Sequence, residues 1–211
     1  MKIASIGTGN MGGTLGKRWA EAGHEVMFGS REPHSDRIRT LLQAAGSKAQ
    51  AGTVQEAIAF GDVILLAVMF DEAERILSTA GDLSGKILIN CTNRFDGKSA
   101  DAEVLRLAQN ARVVRAFHTL PWEVIANPQF GQINATAFLS GMHSEANETV
   151  AQLMQEISLD PVDVGDSVNM EKIDAAIGAL WGILSPQFGR DFGIRVLRRE
   201  SIENENVRLL S

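Results

Sequence analysis

A glycine-rich turn near the start of the chain, Gly7-Thr8-Gly9-Asn10-Met11-Gly12, constrains the possible folds more than any other feature. An apolar run from Ile3 to Ile6 precedes it and predicts a strand, and an amphipathic stretch from Met11 to Ala22 predicts a helix. In such a unit the first glycine permits the turn, the second lets backbone approach a pyrophosphate, and the third lets helix and strand pack closely. The motif therefore predicts a dinucleotide site formed by Gly7, Thr8, Gly9, Asn10, Met11 and Gly12.

Short apolar runs alternate with amphipathic segments up to about residue 165, and the run VILLAV at 63–68 is apolar throughout, as in a strand covered on both faces. This alternation predicts an α/β fold, a Rossmann-type doubly wound, mostly parallel sheet. We expect strands at 3–6, 25–28, 48–52, 63–68, 87–90, 113–117, 135–139 and 162–164, and helices at 11–22, 35–45, 54–60, 71–80, 100–110 and 145–157.

The pattern changes after Gly165. Met170 to Leu184 predicts a largely apolar helix, and the stretch from 198 to 211 is charged and predicts a mobile or partner-bound tail. We therefore expect a dinucleotide-binding Rossmann domain over 1–166 and a small helical C-terminal extension over 167–211, packed on it as one compact unit.

Composition excludes several classes of function. A formal net charge of −6 and a pI near 5.3 argue against general affinity for nucleic acid or an anionic membrane. The N-terminal apolar run is too short for a signal peptide, and no stretch approaches a membrane span, so the predicted location is the cytoplasm. The four dispersed histidines and the single cysteine predict no metal site.

The end of the second strand discriminates between the two nicotinamide dinucleotides. Proteins that bind NAD tend to have an acidic residue there, whereas this chain has Ser30 followed by Arg31. A hydroxyl and a guanidinium can both bind a 2′-phosphate, which a carboxylate would repel. The sequence therefore predicts NADP, with His34 and Arg37 as further candidates; the alternative is that Arg31 is a solvated surface charge and Glu32 binds the ribose.

Ligands of an open parallel sheet bind outside the carboxyl ends of its strands. These ends predict contacts from Ala67, Val68 and Met69, from Asn90, from Ala116, and from the Gly141–Met142 strand end. His118 is the only histidine at such a position and is a candidate proton donor, although a hydrogen-bonded packing role is the alternative. Cys91 has apolar neighbours and is predicted to be a buried thiol.

Several segments together resemble the NADP oxidoreductase family that depends on coenzyme F-420, a deazaflavin, whose fold also occurs in cytoplasmic domains of metalloreductases. They are IGTGNMGGTLGKRWAEAGHEVMFGSR, VILLAV, GKILINCTN, VVRAFHTL, AFLSG and DPVDVGD. The resemblance implies that Thr8 to Met11 surround the pyrophosphate, Ser30 and Arg31 the 2′-phosphate, Ala67 to Met69 the ribose and nicotinamide, and Ala116 to Thr119 the deazaflavin. The family commonly has AFNT where this chain has AFHT, and a proline near Met69 or Phe70.

These observations predict an oxidoreductase that transfers hydride between NADP(H) and a planar small-molecule acceptor, a deazaflavin or a flavin. The alternatives are an NADP(H)-binding redox sensor without turnover and a small imine- or hydroxyacid-type dehydrogenase, although such dehydrogenases have a larger helical domain. The apolar C-terminal helix predicts a homodimer. Side chains that could form an apolar or stacking wall, or simply belong to the core, are Met69, Phe70, Phe117, Trp122 and Trp181.

Overall fold

The computed structural model describes residues 1–94, 100–108 and 110–199 of the chain. The charged tail predicted from the sequence lies, from residue 200 onward, outside the described residues. The strands within the described part are β1 (Lys2–Ile6), β2 (Glu25–Gly29), β3 (Ala49–Gly52), β4 (Val63–Leu66), β5 (Ile87–Asn90), β6 (Arg112–Ala116), β7 (Gln129–Phe130), β8 (Ile133–Asn134), β9 (Thr136–Gly141) and β10 (Asp160–Asp163). The helices are α1 (Asn10–Glu21), α2 (Asp36–Ala45), α3 (Val54–Phe60), α4 (Phe70–Leu77), α5 (Asp101–Leu107), α6 (Trp122–Ala126), α7 (Ser144–Glu156) and α8 (Ser167–Phe188).

Eight strands form one sheet in the order β3-β2-β1-β4-β5-β6-β9-β10. The strands from β3 to β6 are all parallel, and the order reverses at β1, from which the chain continues first to β2 and later to β4. The carboxyl ends of β1 and β4 therefore flank the crevice in which an open α/β sheet binds its ligand. The predicted α/β fold and mostly parallel sheet are confirmed.

Each face of the sheet is covered by helices. Alternate residues of β4 enter different apolar cores: Val63 and Leu65 face the core that includes Trp19 and Phe28, and Ile64 and Leu66 face the opposite core. This two-sided burial explains why the strand is apolar at every position instead of at every second one. The sheet therefore lies between two helical layers. The carboxyl ends of its parallel strands are at the edge near the glycine turn.

Local sequence signals account for the boundaries of several helices. Thr53 and Glu56 form a reciprocal capping box at the start of α3: the Glu56 N–H donates to Thr53 Oγ1 (3.2 Å), and the Thr53 N–H donates to Glu56 Oε2 (2.7 Å). Gly23, with a φ of +99°, follows α1 and turns the chain into β2. These signals are short-range, and the corresponding elements were predicted to within a few residues.

Strand β9 runs antiparallel to β6, with Ala116 opposite Leu139 and Val114 opposite Gly141. The carboxyl end of β9 therefore lies at the opposite edge of the sheet from the glycine turn. The prediction that Gly141 and Met142 border the ligand site is wrong for this reason. The start of β9, at Thr136, occupies that position instead.

The C-terminal region differs from its prediction in extent. Helix α8 spans Ser167–Phe188, longer than the predicted 170–184 and with Pro186 inside it, and Met170 is its buried residue. The chain then returns along the start of β9, where the Thr136 N–H donates to Ile194 O (2.8 Å). Helix α6 and the β7–β8 hairpin were not predicted, because two-residue strands and a five-residue helix carry too short a pattern.

Candidate functional site

Three glycines of the first turn have three different steric roles. Gly7 has a φ of +103°, and a Cβ atom there would lie 2.2 Å from the carbonyl oxygen of Ala67. A Cβ at Gly12 would lie 1.9 Å from Gly7 O, so only glycine lets α1 begin this close to β1. Gly9 has open space instead, its nearest neighbour being an Arg37 nitrogen at 4.0 Å. The turn therefore leaves backbone accessible at its centre while packing tightly at both ends.

The N-terminus of α1 carries no group that competes with an anion. Gly9 is its N-cap and supplies no side-chain hydrogen bond, and the first turn has no acidic residue. The buried Ser5 hydroxyl donates to Gly12 O (2.9 Å) and holds the helix start against β1. The unpartnered N–H groups of the first turn and the helix dipole therefore favour a phosphate at Thr8, Asn10 and Met11.

The corner after β2 is positively charged and exposed. Ser30 Oγ accepts a hydrogen bond from the Glu32 N–H (3.1 Å), which orients its hydroxyl beside the end of the strand. The Arg31 side chain is 79% exposed, and its guanidinium lies 3.9 Å from the Glu72 carboxylate on α4. Arg37 donates to Thr8 O (3.0 Å) and so extends the positive corner to the phosphate turn. His34 is exposed on the same segment.

The residues that follow β4 form an apolar surface at the same edge of the sheet. Ala67 and Val68 are partly buried, and Met69 exposes 61% of its surface directly before α4. Phe70 begins that helix, with the guanidinium of Arg94 4.1 Å from the centre of its ring. An exposed methionine beside the glycine turn offers an adaptable apolar contact for a flat ring.

Two residues that were predicted to contact the cofactor are buried inside the protein. Asn90 is fully buried: its amide N–H donates to Asp101 Oδ1 (2.7 Å), and its carbonyl accepts from the Thr92 N–H (3.1 Å). Its side chain has no group directed outward, so the predicted cofactor contact of Asn90 is replaced by a structural role. Ala116 is also fully buried, in the apolar core. The residue that reaches the surface at the end of β5 is Asn93.

His118 lies inside the protein instead of on the wall of the site. Its imidazole is 2% exposed, and Nε2 donates to Asp174 Oδ1 on α8 at 2.6 Å. Burial lowers the pKa of His118 below its ordinary 6.5, against the opposing effect of Asp174, and the charge on Arg115 lowers it further. Burial is the largest single effect on the pKa of Asp174 and acts to raise it, but the interactions with His118 and Arg115 together outweigh burial, so the pKa is lowered. The pair is therefore a neutral imidazole and a carboxylate, which corresponds to the packing alternative for His118.

A small pocket, partly open to solvent, lies between the turn after β6, the start of β9 and α8. Because β9 is antiparallel to β6, this cavity is at the same edge of the sheet as the glycine turn. Trp181 and Phe192 stack on each other in its wall, with ring centres 5.0 Å apart. The Thr119 hydroxyl, also in the wall, is buried and has no hydrogen-bond partner among the described residues. The lining is Thr119, Leu120, Pro121, Thr136, Phe138, Ile177, Trp181, Phe192, Gly193 and Ile194.

Other candidate groups are not arranged for chemistry. Cys91 is buried, and burial raises the pKa of its thiol to about 12. Phe117 is fully buried and packs edge-on against Trp19, so it belongs to the core and not to an exposed wall. In the part of the chain that the structure describes, no three His, Cys, Asp or Glu residues cluster as metal ligands, and no helix is long and apolar enough to cross a membrane.

The fold and this site together define an NADP-dependent oxidoreductase. Residues 2–94 match the family described as "NADP oxidoreductase coenzyme F420-dependent". The chain is 30% identical to SMa0349 of Sinorhizobium meliloti, a protein of solved structure described as hypothetical, with a TM-score of 0.76 over 94% of this chain and 96% of that one. The chain belongs to this family of NADP oxidoreductases.

Two curated relatives differ in how much of their length this chain matches. The F420-dependent NADP reductase of Methanothermobacter thermautotrophicus is 28% identical over 221 residues, covering 93% of this chain and 94% of the relative. The metalloreductase STEAP3 of Rattus norvegicus is 29% identical over 181 residues, covering 82% of this chain. The chain spans only 36% of the length of that metalloreductase.

Proposed function

We propose that this protein transfers hydride between NADP(H) and a planar acceptor of the deazaflavin class. The observation that carries the proposal is the presence, at one edge of the sheet, of an uncapped phosphate turn and a largely apolar cavity with stacked aromatic side chains. Hydride transfer between two rings requires that the rings are held in contact and that water is excluded, and it requires little acid–base catalysis. The walls of the site are accordingly largely apolar, and His118 is buried instead of exposed in them.

The proposed cofactor contacts divide between backbone and side chains. The turn from Gly7 to Gly12 would bind the pyrophosphate through N–H groups, and Ser30, Arg31 and Arg37 would bind the 2′-phosphate by charge-assisted hydrogen bonds. Ala67, Val68 and Met69 would pack against the ribose and nicotinamide. When bound, NADPH supplies a hydride to the acceptor and leaves as NADP⁺, while the reduced acceptor takes its proton from solvent.

The acceptor would occupy the cavity beside Thr119. Its apolar residues suit the faces of a fused ring, and the buried Thr119 hydroxyl can donate to, or accept from, a polar edge of that ring. The Trp181–Phe192 stack gives one wall a fixed plane. This combination favours a ring acceptor over a small carbonyl compound, which would leave most of the apolar surface uncovered.

The test is the loss of the long-wavelength absorbance of oxidised deazaflavin after it is mixed with the pure protein and NADPH, with NADH as the control. Rapid bleaching with NADPH and little with NADH is the expected result. Tight NADPH binding without bleaching would contradict the acceptor, and the same mixture is then assayed with flavins, quinones and cyclic imines. NADPH binding without oxidation by any of them would favour a redox-sensing module.

We propose further that residues 1–166 and 167–211 act as one unit and that two copies associate through α8. The helix exposes several apolar side chains on one side, among them Val168, Leu180 and Ile183, with exposed fractions of 57%, 41% and 63%. Light scattering after size exclusion is expected to give twice the chain mass of 22.8 kDa, and Ile183→Lys to shift it to the monomer. A wild-type mass near 22.8 kDa would contradict the dimer.

A further inference from the structure

A buried network of polar side chains lies beneath the acceptor side of the sheet edge. At its centre is Arg115 of β6, whose side chain is 5% exposed. Its guanidinium donates to the carbonyl oxygen of Thr92 and to Asn93 Oδ1, the latter at 3.2 Å. Both acceptors belong to the loop after β5. The buried guanidinium of Arg115 thus connects the end of β6 to the loop that follows the neighbouring strand β5.

Two carboxylates from different helices flank the same guanidinium. Asp101, in the first turn of α5, lies 3.5 Å from Arg115 Nε, and Asp174 of α8 lies 3.7 Å from its terminal nitrogen. Arg115 and Asp101 are buried and Asp174 is partly buried. Burying charges is costly unless each is balanced and hydrogen-bonded, so such a cluster favours a single geometry. Asp174 is the only member of this trio contributed by the C-terminal region.

The network also fixes the turn after β6. Asn93 donates from its amide to the carbonyl oxygen of His118 (3.1 Å), so both ends of that amide are hydrogen-bonded. His118 itself is hydrogen-bonded to Asp174 (2.6 Å). Phe117, between β6 and His118, has a φ of +65°, a conformation that a bulky residue avoids unless its surroundings impose it. The contacts on either side of Phe117 supply that constraint.

From this geometry we propose that Asp174 is a positioning residue for hydride transfer. From α8 it holds His118 and Arg115, and through them it sets the spacing between the loop at Asn93 and the turn at Thr119. Thr119 lines the proposed acceptor cavity. The inference rests on the proposed function only in taking this cavity as the place of the acceptor. In this proposal, a helix of the C-terminal region orients two loops of the dinucleotide-binding region.

The first test needs no acceptor. Asp174→Asn keeps an oxygen that can accept from His118 but removes the charge that faces Arg115. In ¹H–¹⁵N spectra of the NADPH-bound protein, we expect it to shift the Asn93 side-chain amide and the backbone amides of 117–119, and to speed their hydrogen exchange about tenfold or more. Glu171→Gln is the matched control, because it removes a carboxylate from an exposed position of the same helix.

A second variant, His118→Asn, removes the other end of the hydrogen bond and keeps the test decisive if Asp174→Asn does not fold. It is expected to perturb the Asn93 amide in the same way. Unchanged Asn93 and 117–119 amides in a folded Asp174→Asn or His118→Asn protein would overturn the proposal, whatever the acceptor proves to be.

The second test separates positioning from general stability. With NADPH and deazaflavin, Asp174→Asn is expected to raise the KM for the acceptor about tenfold and to leave the Kd for NADPH within about twofold. Equal weakening of both ligands would indicate a structural role and overturn the proposal, as would an unchanged acceptor KM. If wild-type protein does not bleach the deazaflavin, the proposed function fails, and the spectra alone decide the role of Asp174.

Discussion

At the scale of single residues, the glycine turn was predictable because its chemistry is encoded in backbone sterics alone. Gly7 and Gly12 lie where any Cβ would overlap a carbonyl oxygen, and Gly9 has open space beside its backbone. No distant partner is needed for these roles, so sequence spacing is sufficient to identify them. The position of Ser30 and Arg31 was predictable for a similar reason, since they follow directly from the end of β2.

Replacing Gly12 by alanine is expected to cost at least about 2 kcal/mol of unfolding free energy and to abolish NADPH binding. A Cβ there would lie 1.9 Å from a backbone oxygen, a clash that no side-chain rotation relieves. Gly13→Ala is the matched control on the next residue of α1, where the nearest atom is 3.5 Å away, and it is expected to be neutral or stabilising by up to about 1 kcal/mol. Urea unfolding measures both; equal losses would refute the steric explanation.

The double substitution Ser30→Asp with Arg31→Ala is expected to raise the Kd for NADPH about 100-fold while changing that for NADH little. The change removes a cation and places a carboxylate beside the 2′-phosphate. Isothermal titration with both dinucleotides gives the preference directly. Arg39→Ala is the control, because this arginine pairs with Asp36 on the same exposed segment. An unchanged NADPH-to-NADH ratio in the double variant would contradict the assignment.

Side-chain orientation was the part of the site that sequence could not supply. His118 and Asn90 were correctly located near strand ends, yet both side chains are committed to buried partners, Asp174 and Asp101. Asp174 lies 56 residues after His118 in the chain, on a helix whose position depends on the whole fold. A local sequence pattern can identify a polar residue near a strand end. It cannot show whether the side chain of that residue points toward a ligand or toward a partner far away in the sequence.

At the scale of elements, the docking of α8 is expected to weaken as the pH falls. Around His118 the charged groups are Asp174 of α8, Arg115 of β6 and Asp101 of α5. Because the folded-state pKa of His118 is lowered, its contribution to stability is complete above about 6.5, the ordinary value, and is lost below it. The lowered pKa of Asp174 acts in the same direction at more acid pH.

Thermal unfolding between about pH 7.5 and about pH 5.5 tests this sign. The Tm of the wild-type protein is expected to fall more over this range than the Tm of His118→Asn, which has no titrating group at that position. Parallel Tm curves for the two proteins would show that His118 carries no such linkage. Hydrogen exchange within α8, measured at the two pH values, reports whether that helix is the element released.

The direction of β9 was the main error among the elements. A strand followed by a helix and another strand predicts a parallel crossover, and β9, α7 and β10 do form one. The reversal occurs earlier, between β6 and β9, where α6 and the short hairpin carry the chain around without a full crossover. Because those elements have only a few residues each, the sequence contains no signal strong enough to reveal the reversal.

At the scale of the whole molecule, Arg18 joins the first half of the chain to the second. It donates to the carbonyl oxygens of Ile125 (3.2 Å), Ala126 (2.9 Å) and Ile157 (2.8 Å), which lie at the ends of α6 and α7. Helix C-termini leave such carbonyls without partners, and a guanidinium can satisfy several at once. One residue of α1 thereby closes two helices more than 100 positions away in the sequence.

Arg18→Met is expected to lower the unfolding free energy by about 2–4 kcal/mol, since three carbonyls lose a charged donor while the apolar stem is kept. Urea denaturation is the measurement. Lys17→Met, next to it on α1 and paired only with Glu21 at 3.5 Å, is the control and is expected to stay within about 0.5 kcal/mol. A loss for Arg18→Met no larger than that of the control would show that the carbonyl contacts do not connect the two halves energetically.

The antiparallel course of β9 and β10 determines where the last helix can reach. Since β10 ends at the far edge of the sheet, α8 starts there and travels back toward the cofactor edge. Its 22 residues measure about 33 Å, against about 20 Å for the six residues of β9. Trp181 thus arrives level with the cavity, whose wall it shares with Phe192. A helix that started at the edge near the glycine turn would instead have run away from this cavity.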